Sequence, residues 1–416
     1  GGSADSITAG AGLNSINAGD GNNTVTAGAD ADTIISGSGN DTIQAGDGAN
    51  SISGGAGANS ITSTLGADTI TTGAGADTIT AAAGLNSISA GDGNNSVTSG
   101  ADADTIITGI GDDTIQAGDG ANSIAGGAGA NSVTSTAGAD TITTGAGADS
   151  ITAGAGLNSI TAGDGNNSVT SGVDADTITS GTGDDTIQAS DGANSIAGGA
   201  GANSVTAGTG ADTITSGAGA DTITASDGAN SITAGDGANT ISSGTGTDTI
   251  TTGTGADSVQ SGAAADSISG GDGNNSLQGD AGTDTIVSGS GADTLVGGTE
   301  RDVLTGGGGI DRFIFANGDS GVVEANIDRI TDWAIADQID VVATSTNLGT
   351  DTAATFAAAL TAANALFVAS AGRNHAAIQV GSDVVVFVDS NNDDVADDAI
   401  LLVGRVLSDI AAGNII

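Results

Sequence analysis

Stepping by nine from Asp5 to Asp311 lands on 35 residues, and every one is Asp or Asn. The series opens Asp5, Asn14, Asn23, Asp32, Asp41, Asn50, Asn59. Two residues after each stands an aliphatic side chain, as in Ile7, Ile16 and Val25, or finally the aromatic Phe313. Two residues before each is usually Gly. Carboxylate and amide oxygens on a glycine-rich backbone can do two kinds of chemistry. They can bond to their own backbone and shape turns, or they can ligate a hard cation. Charge separates the two readings. The chain carries 50 acidic residues against 5 basic ones, a formal net charge of -45. All five bases are arginines and all lie late: Arg301, Arg312, Arg329, Arg373 and Arg405. A compact polyanion of this density repels itself. Turn formation alone supplies no neutralising charge, so a bound metal ion is expected. Flexible rings of oxygen suit Ca²⁺ better than the octahedral demands of Mg²⁺.

The Asp members of the series are therefore the candidate metal ligands: Asp5, Asp32, Asp41, Asp68, Asp77, Asp104, Asp113, Asp140, Asp149, Asp176, Asp185, Asp212, Asp221, Asp248, Asp257, Asp266, Asp284, Asp293, Asp302 and Asp311. A secondary set stands three residues before Asn positions: Asp20, Asp47, Asp92, Asp119, Asp164, Asp191, Asp236 and Asp272.

The elements that must position these residues follow from the same period. A unit such as Thr72 to Thr80 ends in Thr-Ile-Thr, one apolar side chain between two polar ones. That is the alternation of a half-buried strand. The other six residues form a turn rich in glycine, which tolerates positive φ. Such strands are too short to stand alone and must stack, as in other solenoids. With five Phe, one Trp and no Tyr or Met, the chain has little else from which to build a core.

The nonapeptide resembles the RTX (repeats-in-toxin) pattern GGxGxDxUx, with U a large apolar residue. The match is strongest at Gly306-Gly-Gly-Gly-Ile-Asp-Arg-Phe-Ile314, and Gly297 and Gly298 lead likewise into Asp302. The resemblance implies an all-β fold, a right-handed parallel β-roll with two repeats per turn. It also implies Ca²⁺ between successive turns, held by the Asp carboxylates and loop carbonyls. Earlier units depart from the pattern: their first Gly is usually Ala, Ser or Thr, and many hold Asn for Asp.

From Asp5 to Asp257 the order Asp, Asn, Asn, Asp repeats without error. With two repeats per turn, each side of the roll alternates charged with neutral, which halves the repulsion of carboxylates stacked about 4.8 Å apart. Two arrangements are open. Asn can lend a neutral oxygen so that every site keeps its ion, which the secondary aspartates favour. Alternatively Asn ladders hydrogen-bond and half the sites stay empty. After Asp257 the order breaks, and Asp248, Asp266, Asp284 and Asp302 form an uninterrupted carboxylate column. The tightest sites are expected there and at Asp293 and Asp311. A longer repeat of 72 residues is visible in Gly-Leu-Asn-Ser-Ile at residues 12, 84 and 156.

Composition shifts near Arg312, so the roll is placed at residues 1–315 and a cap at 316–416. The cap is read as β-rich with one short helix from Ala353 to Ala369, where Phe356, Leu360, Ala363 and Phe367 recur at helical spacing. Ala376 to Val380 and Asp383 to Asp389 read as the two strands of a hairpin, and Ile400 to Val403 as another strand. Ile327-Asp-Arg-Ile-Thr-Asp-Trp333 and Asp337-Gln-Ile-Asp-Val341 resemble the segment after the repeats in serralysin-type exoproteins, which implies type I export machinery as a partner. Asp389, Asn391 and Asp393 have the oxygen spacing of a calcium loop, and equally of a hairpin turn.

Several functions are excluded. Phosphate binding needs Lys and Arg, so nucleic acid is not a partner. No apolar run approaches a membrane span. His375 is the only histidine and cysteine is absent, so neither an HExxH metalloprotease nor a thiol enzyme can be built. The absence of Met marks the chain as processed or part of a longer product. The expected function is structural: a secreted or cell-surface roll that folds with extracellular Ca²⁺ and self-associates into a surface layer, filament or matrix. The alternatives are a spacer or binding module of an adhesin or ice-binding protein, whose Thr-x-Thr rows Thr69/Thr71 and Thr78/Thr80 resemble, or the export and folding tail of an enzyme.

Overall fold

The computed structural model describes residues 2–341, 348–370 and 373–416. It divides into two compact units, Gly1–Gly208 and Thr209–Ile416.

In the first unit each nonapeptide supplies one short strand. Ser6–Thr8 pairs in parallel with Thr24–Thr26, and Ser15–Gly19 with Thr33–Ser36. The offset is 18 residues, so Ile7 lies over Val25 and Ile16 over Ile34. Two repeats therefore make one turn, and alternate repeats build two parallel sheets. The pleat turns every second side chain inward. Thr69–Thr72 shows the rule: Thr69 and Thr71 are exposed, Ile70 and Thr72 buried. Each strand thus gives the interior one large residue, Ile or Val, and then a small one such as Ala45, Ser36 or Thr72.

The turns stack on the same offset. The Gly57 N–H donates to the Ala74 carbonyl at 2.8 Å, and that of Gly75 to the Asp92 carbonyl at 2.9 Å. Gly75 has φ +142°, and a Cβ there would come within 2.2 Å of the Gly57 carbonyl oxygen. Only glycine meets both demands, which is why it recurs two residues before the Asp or Asn.

The second unit continues the pattern, with Thr213–Thr215 paired to Ser231–Gly235 and that strand to Thr249–Thr252. Toward its C-terminal end the core residues enlarge to Leu277, Leu295, Leu304 and Phe313. Phe313 meets the buried Trp333 with ring centroids 6.2 Å apart. The offset then grows to 26: Val303 pairs with Arg329 and Arg312 with Gln338. Asp328–Ile330 is covered in turn by Asp398–Leu402, and Ile339 bridges Ile415 at the C-terminus. His375–Val380 and Asp383–Val388 form the expected antiparallel pair. The helix is Phe356–Ala369, shorter than expected because Leu348–Ala353 is a strand. Thr355 caps it by accepting the Ala358 N–H at 3.2 Å. Phe356, Ala359, Ala363 and Phe367 are buried with Ile378, Val385 and Phe387, while Leu360 is only partly buried. No helix among the described residues is long and apolar enough to cross a membrane.

The inward column carries the stability of each turn. We expect Ile79→Ala, at a fully buried position, to destabilise the calcium-loaded protein by about 2–5 kcal/mol in denaturant unfolding followed by circular dichroism. Ile107→Thr, at a position 49% exposed on the outer face, should stay within about 0.5 kcal/mol.

Candidate metal centres

Each Asp or Asn of the nine-residue series is held by one bond that both types can make. Within each unit, from Asn23 onward, its Oδ1 accepts the backbone N–H of the residue 18 positions earlier. Asn23 accepts from Asp5 at 3.0 Å, Asp41 from Asn23 at 2.7 Å, Asn50 from Asp32 at 2.9 Å, and Asp68 from Asn50 at 2.8 Å. The side chains form a ladder that binds turn to turn from inside the loops.

The two residue types differ in the second atom. The Asn amide nitrogen donates back into its own turn, to the carbonyls four and two residues earlier. Asn23 reaches Gly19 at 2.8 Å and Gly21 at 3.0 Å, and Asn59 reaches Gly55 at 3.2 Å and Gly57 at 3.0 Å. An Asp held by the same first oxygen directs Oδ2 to that side, where the turn carbonyls are acceptors and offer it nothing. Oδ2 is buried and receives no hydrogen bond of ordinary geometry in Asp41, Asp68, Asp104, Asp284 and Asp302, among others. A buried carboxylate oxygen without a donor beside loop carbonyls is the setting a hard cation fits. At Gly279, Gly297 and Gly306 the missing Cβ opens the space: a Cβ would lie 2.3, 2.2 and 2.5 Å from Oδ2 of Asp284, Asp302 and Asp311.

All twenty primary candidates fall on these two ladders. Asp5 is half-buried and the other nineteen are buried. The Asn residues do not offer a spare site for an ion in the way their oxygens suggested. Their Oδ1 is taken by backbone N–H, and their NH₂ stands where a cation would bind the carbonyls. The secondary aspartates lie elsewhere, exposed on the outer edge and turned toward the following turn. Asp20 accepts the Ser38 N–H and hydroxyl, both at 2.9 Å, and Asp164 does the same with Thr182. In the C-terminal loop, Asp389 spends Oδ1 on the N–H of Asn392 and Oδ2 on that of Asp394. Asn391 bonds to Asp397, and Asp393 accepts from Val395. That geometry is the hairpin turn.

Two ladder members escape the nine-residue count. Asp328 Oδ1 accepts from Asp302 N–H at 2.7 Å, and Asp337 Oδ1 from Asp311 N–H at 3.1 Å. Both lie 26 residues on, past an insertion of eight. The signal was present: Asp328-Arg-Ile330 and Asp337-Gln-Ile339 are nine apart and keep the Asp-x-Ile unit.

Burial sets the electrostatics. It pushes Asp68, Asp77, Asp104 and Asp113 above the usual carboxylate range, against hydrogen bonds from the preceding turn and a nearby hydroxyl. In the all-carboxylate column burial acts more strongly, and neighbouring aspartates add to it. Asp284 rises to about 6, Asp302 to about 7 and Asp328 to about 8. Asp311, opposite, rises to about 6. The exposed Asp20 and Asp164 move the other way, held down by the bonds from Ser38 and Thr182.

A carboxyl whose pKa is higher folded than unfolded contributes stability that is full below the unfolded value of 3.8 and lost as pH rises through the folded value. The metal-free protein should therefore be more stable near pH 5 than near pH 8. Thermal melts of chelated, desalted protein test this, and a melting point that rises from pH 5 to pH 8 would contradict it.

The RTX calcium-binding nonapeptide repeat model matches seventeen overlapping segments that together cover residues 1–321. No curated protein sequence matches the chain. Among solved structures, the extracellular lipase LipA from Serratia marcescens aligns at 15% identity and TM-score 0.26, over 51% of this chain and 40% of the lipase. The AlgE6R3 subunit of the Azotobacter vinelandii mannuronan C5-epimerase aligns at 25% identity and TM-score 0.28, over 38% of this chain and 80% of that subunit. The AlgE6R2 subunit of the same enzyme aligns at 22% identity and TM-score 0.25, over 36% and 91%. This chain thus spans less than half the length of the lipase. With the repeat model matched over most of its length and the strands stacked as a parallel β-roll, the chain belongs to the RTX calcium-binding nonapeptide-repeat family.

Proposed function

We propose that the chain is a secreted structural β-roll whose folding is switched on by Ca²⁺ outside the cell and whose surface then self-associates. The observation that carries this reading is the column of buried Oδ2 atoms without donors, which ends in the carboxylate-only run Asp248, Asp266, Asp284, Asp302 and Asp328. Ca²⁺ bound there supplies the positive charge that the column lacks. Where free Ca²⁺ is scarce, the carboxylates repel and the chain stays extended, as type I export requires. At extracellular concentrations binding favours the folded state by mass action. In this reading residues 1–315 are the roll and 316–416 the cap and export segment. The reading is non-enzymatic: the lone His375 is buried.

Leu13, Leu85 and Leu157 support self-association. Each is more than 60% exposed, and they recur every 72 residues, at the same place in every fourth turn. Four turns span roughly 19 Å. A row of apolar side chains at that interval is a natural lateral contact for a second copy.

Circular dichroism on adding Ca²⁺ to protein transferred from denaturant into chelator should show β-structure rising in a cooperative step, and electron microscopy should show ordered assemblies only afterwards. Equal β content on refolding with and without chelator would remove the calcium switch. The triple variant Leu13→Ser, Leu85→Ser, Leu157→Ser should keep the spectral transition and lose assembly; undiminished assembly would remove the lateral contact.

A further inference from the structure

The residue five positions before each Asp or Asn fills the small inward place of the preceding strand, and its identity tracks the ladder residue. All fifteen Asn positions have Ala or Gly there, from Ala9 before Asn14 to Gly270 before Asn275. Fourteen Asp positions have Ser or Thr there, from Ser36 before Asp41 to Ser288 before Asp293. Asp32 and Asp212 have Ala. Only Asp284, Asp302 and Asp311 have Gly. Core packing does not require such a division, since Ala, Ser and Gly are all small enough for the place.

Hydrogen bonding does require it. The Asn amide already gives its protons to the turn carbonyls and needs no neighbour. An Asp brings a second acceptor and needs a donor. The hydroxyls are buried beside it: Ser63 lies by Asp68, Thr72 by Asp77 and Thr108 by Asp113. The Thr72 and Thr108 hydroxyls also reach the carbonyls of Ala90 and Gly126 in the next turn, at 2.7 and 2.9 Å. Rotation about the C–O bond lets one hydroxyl serve either acceptor. The Ser63, Ser135 and Ser171 hydroxyls have no other partner and are free to serve Asp68, Asp140 and Asp176. Where Gly replaces the hydroxyl, Oδ2 of Asp284 and Asp302 is buried with neither donor nor Cβ beside it.

We propose that the chain contains two classes of turn: a metal-requiring class at Asp284, Asp302 and Asp311, where glycine stands five residues earlier, and a metal-free class in which an Asn amide or a Ser/Thr hydroxyl stands in for the cation; Asp32 and Asp212, preceded by alanine, fall outside both. Calcium then starts folding at the C-terminal turns, on which the rest zip up by hydrogen bonding, and the earlier turns, once formed, outlast removal of the ion. The assignment rests on the calcium-dependent reading only for the C-terminal turns.

Hydrogen exchange by mass spectrometry on the full chain, folded in Ca²⁺ and then chelated, separates the classes. Protection should fall at least about tenfold in peptides from 275 to 341 and change less than about twofold from 41 to 203. Metal analysis of the folded protein should find a few ions, not one per ladder aspartate. Thr108→Gly, which removes the hydroxyl beside Asp113, should make protection of its own turn calcium-dependent. Asp302→Asn, which places an amide beside an inward glycine as at Asn59 and Asn275, should lessen the calcium dependence of its own turn. Deprotection along the whole roll on chelation would overturn the two-class assignment and leave a calcium-dependent roll standing. No response to chelation anywhere, with no metal bound, would overturn both.

Discussion

Tight glycine turns crowd backbone carbonyl oxygens onto one side of the loop, and something positive must meet them. Everything else in the roll answers that demand. The strands are too short and the core residues too few for packing to force the turns together. The turns must therefore be satisfied one by one, from within. Asn does so with an amide, and its oxygen is simultaneously claimed by the turn before. Asp makes the same claim with one oxygen and leaves the other in deficit. The DNND order spreads that deficit thinly through most of the chain and concentrates it near the C-terminal end.

The column from Asp248 to Asp328 shows what the concentration does. Asp248 and Asp266 have buried serines, Ser243 and Ser261, five residues before them, and each is raised only moderately. Asp284 and Asp302 have glycine, and their carboxyls move into the neutral range. The same ladder bond of about 2.8 Å runs through all four. Backbone geometry is constant along the column, while burial, the acidic neighbours Asp280, Glu300 and Asp319, and the loss of a serine hydroxyl together raise the carboxyls at its C-terminal end.

The period of nine and the inward Ile and Val were legible in the sequence because each depends on spacing alone, while the two-sheet roll and its Asp columns came from the resemblance to the RTX pattern. The strands from Ala376 onward and the helix around Phe356 and Phe367 were legible from periodicity too, whereas the strands Asp328–Ile330 and Leu348–Ala353 were not. What Asn does was not. Whether its oxygen or its nitrogen faces the loop depends on which neighbour claims the oxygen first, and that neighbour lies 18 residues away. The secondary aspartates misled for a related reason. Asp20 is close to Asn23 in sequence, but the turn points it outward to Ser38. Asp328 and Asp337 were hidden because eight inserted residues broke the stride, although the Asp-x-Ile unit survived.

That insertion has a consequence of its own. The bond from Asp302 to Asp328 has the same length as bonds elsewhere that span 18 residues. Stacking is blind to contour length between rungs and sensitive only to which rung comes next. A roll of this kind can carry excursions of chain at its loop edge without losing alignment, which makes the junction after Phe315 a place where foreign segments can be grafted and displayed.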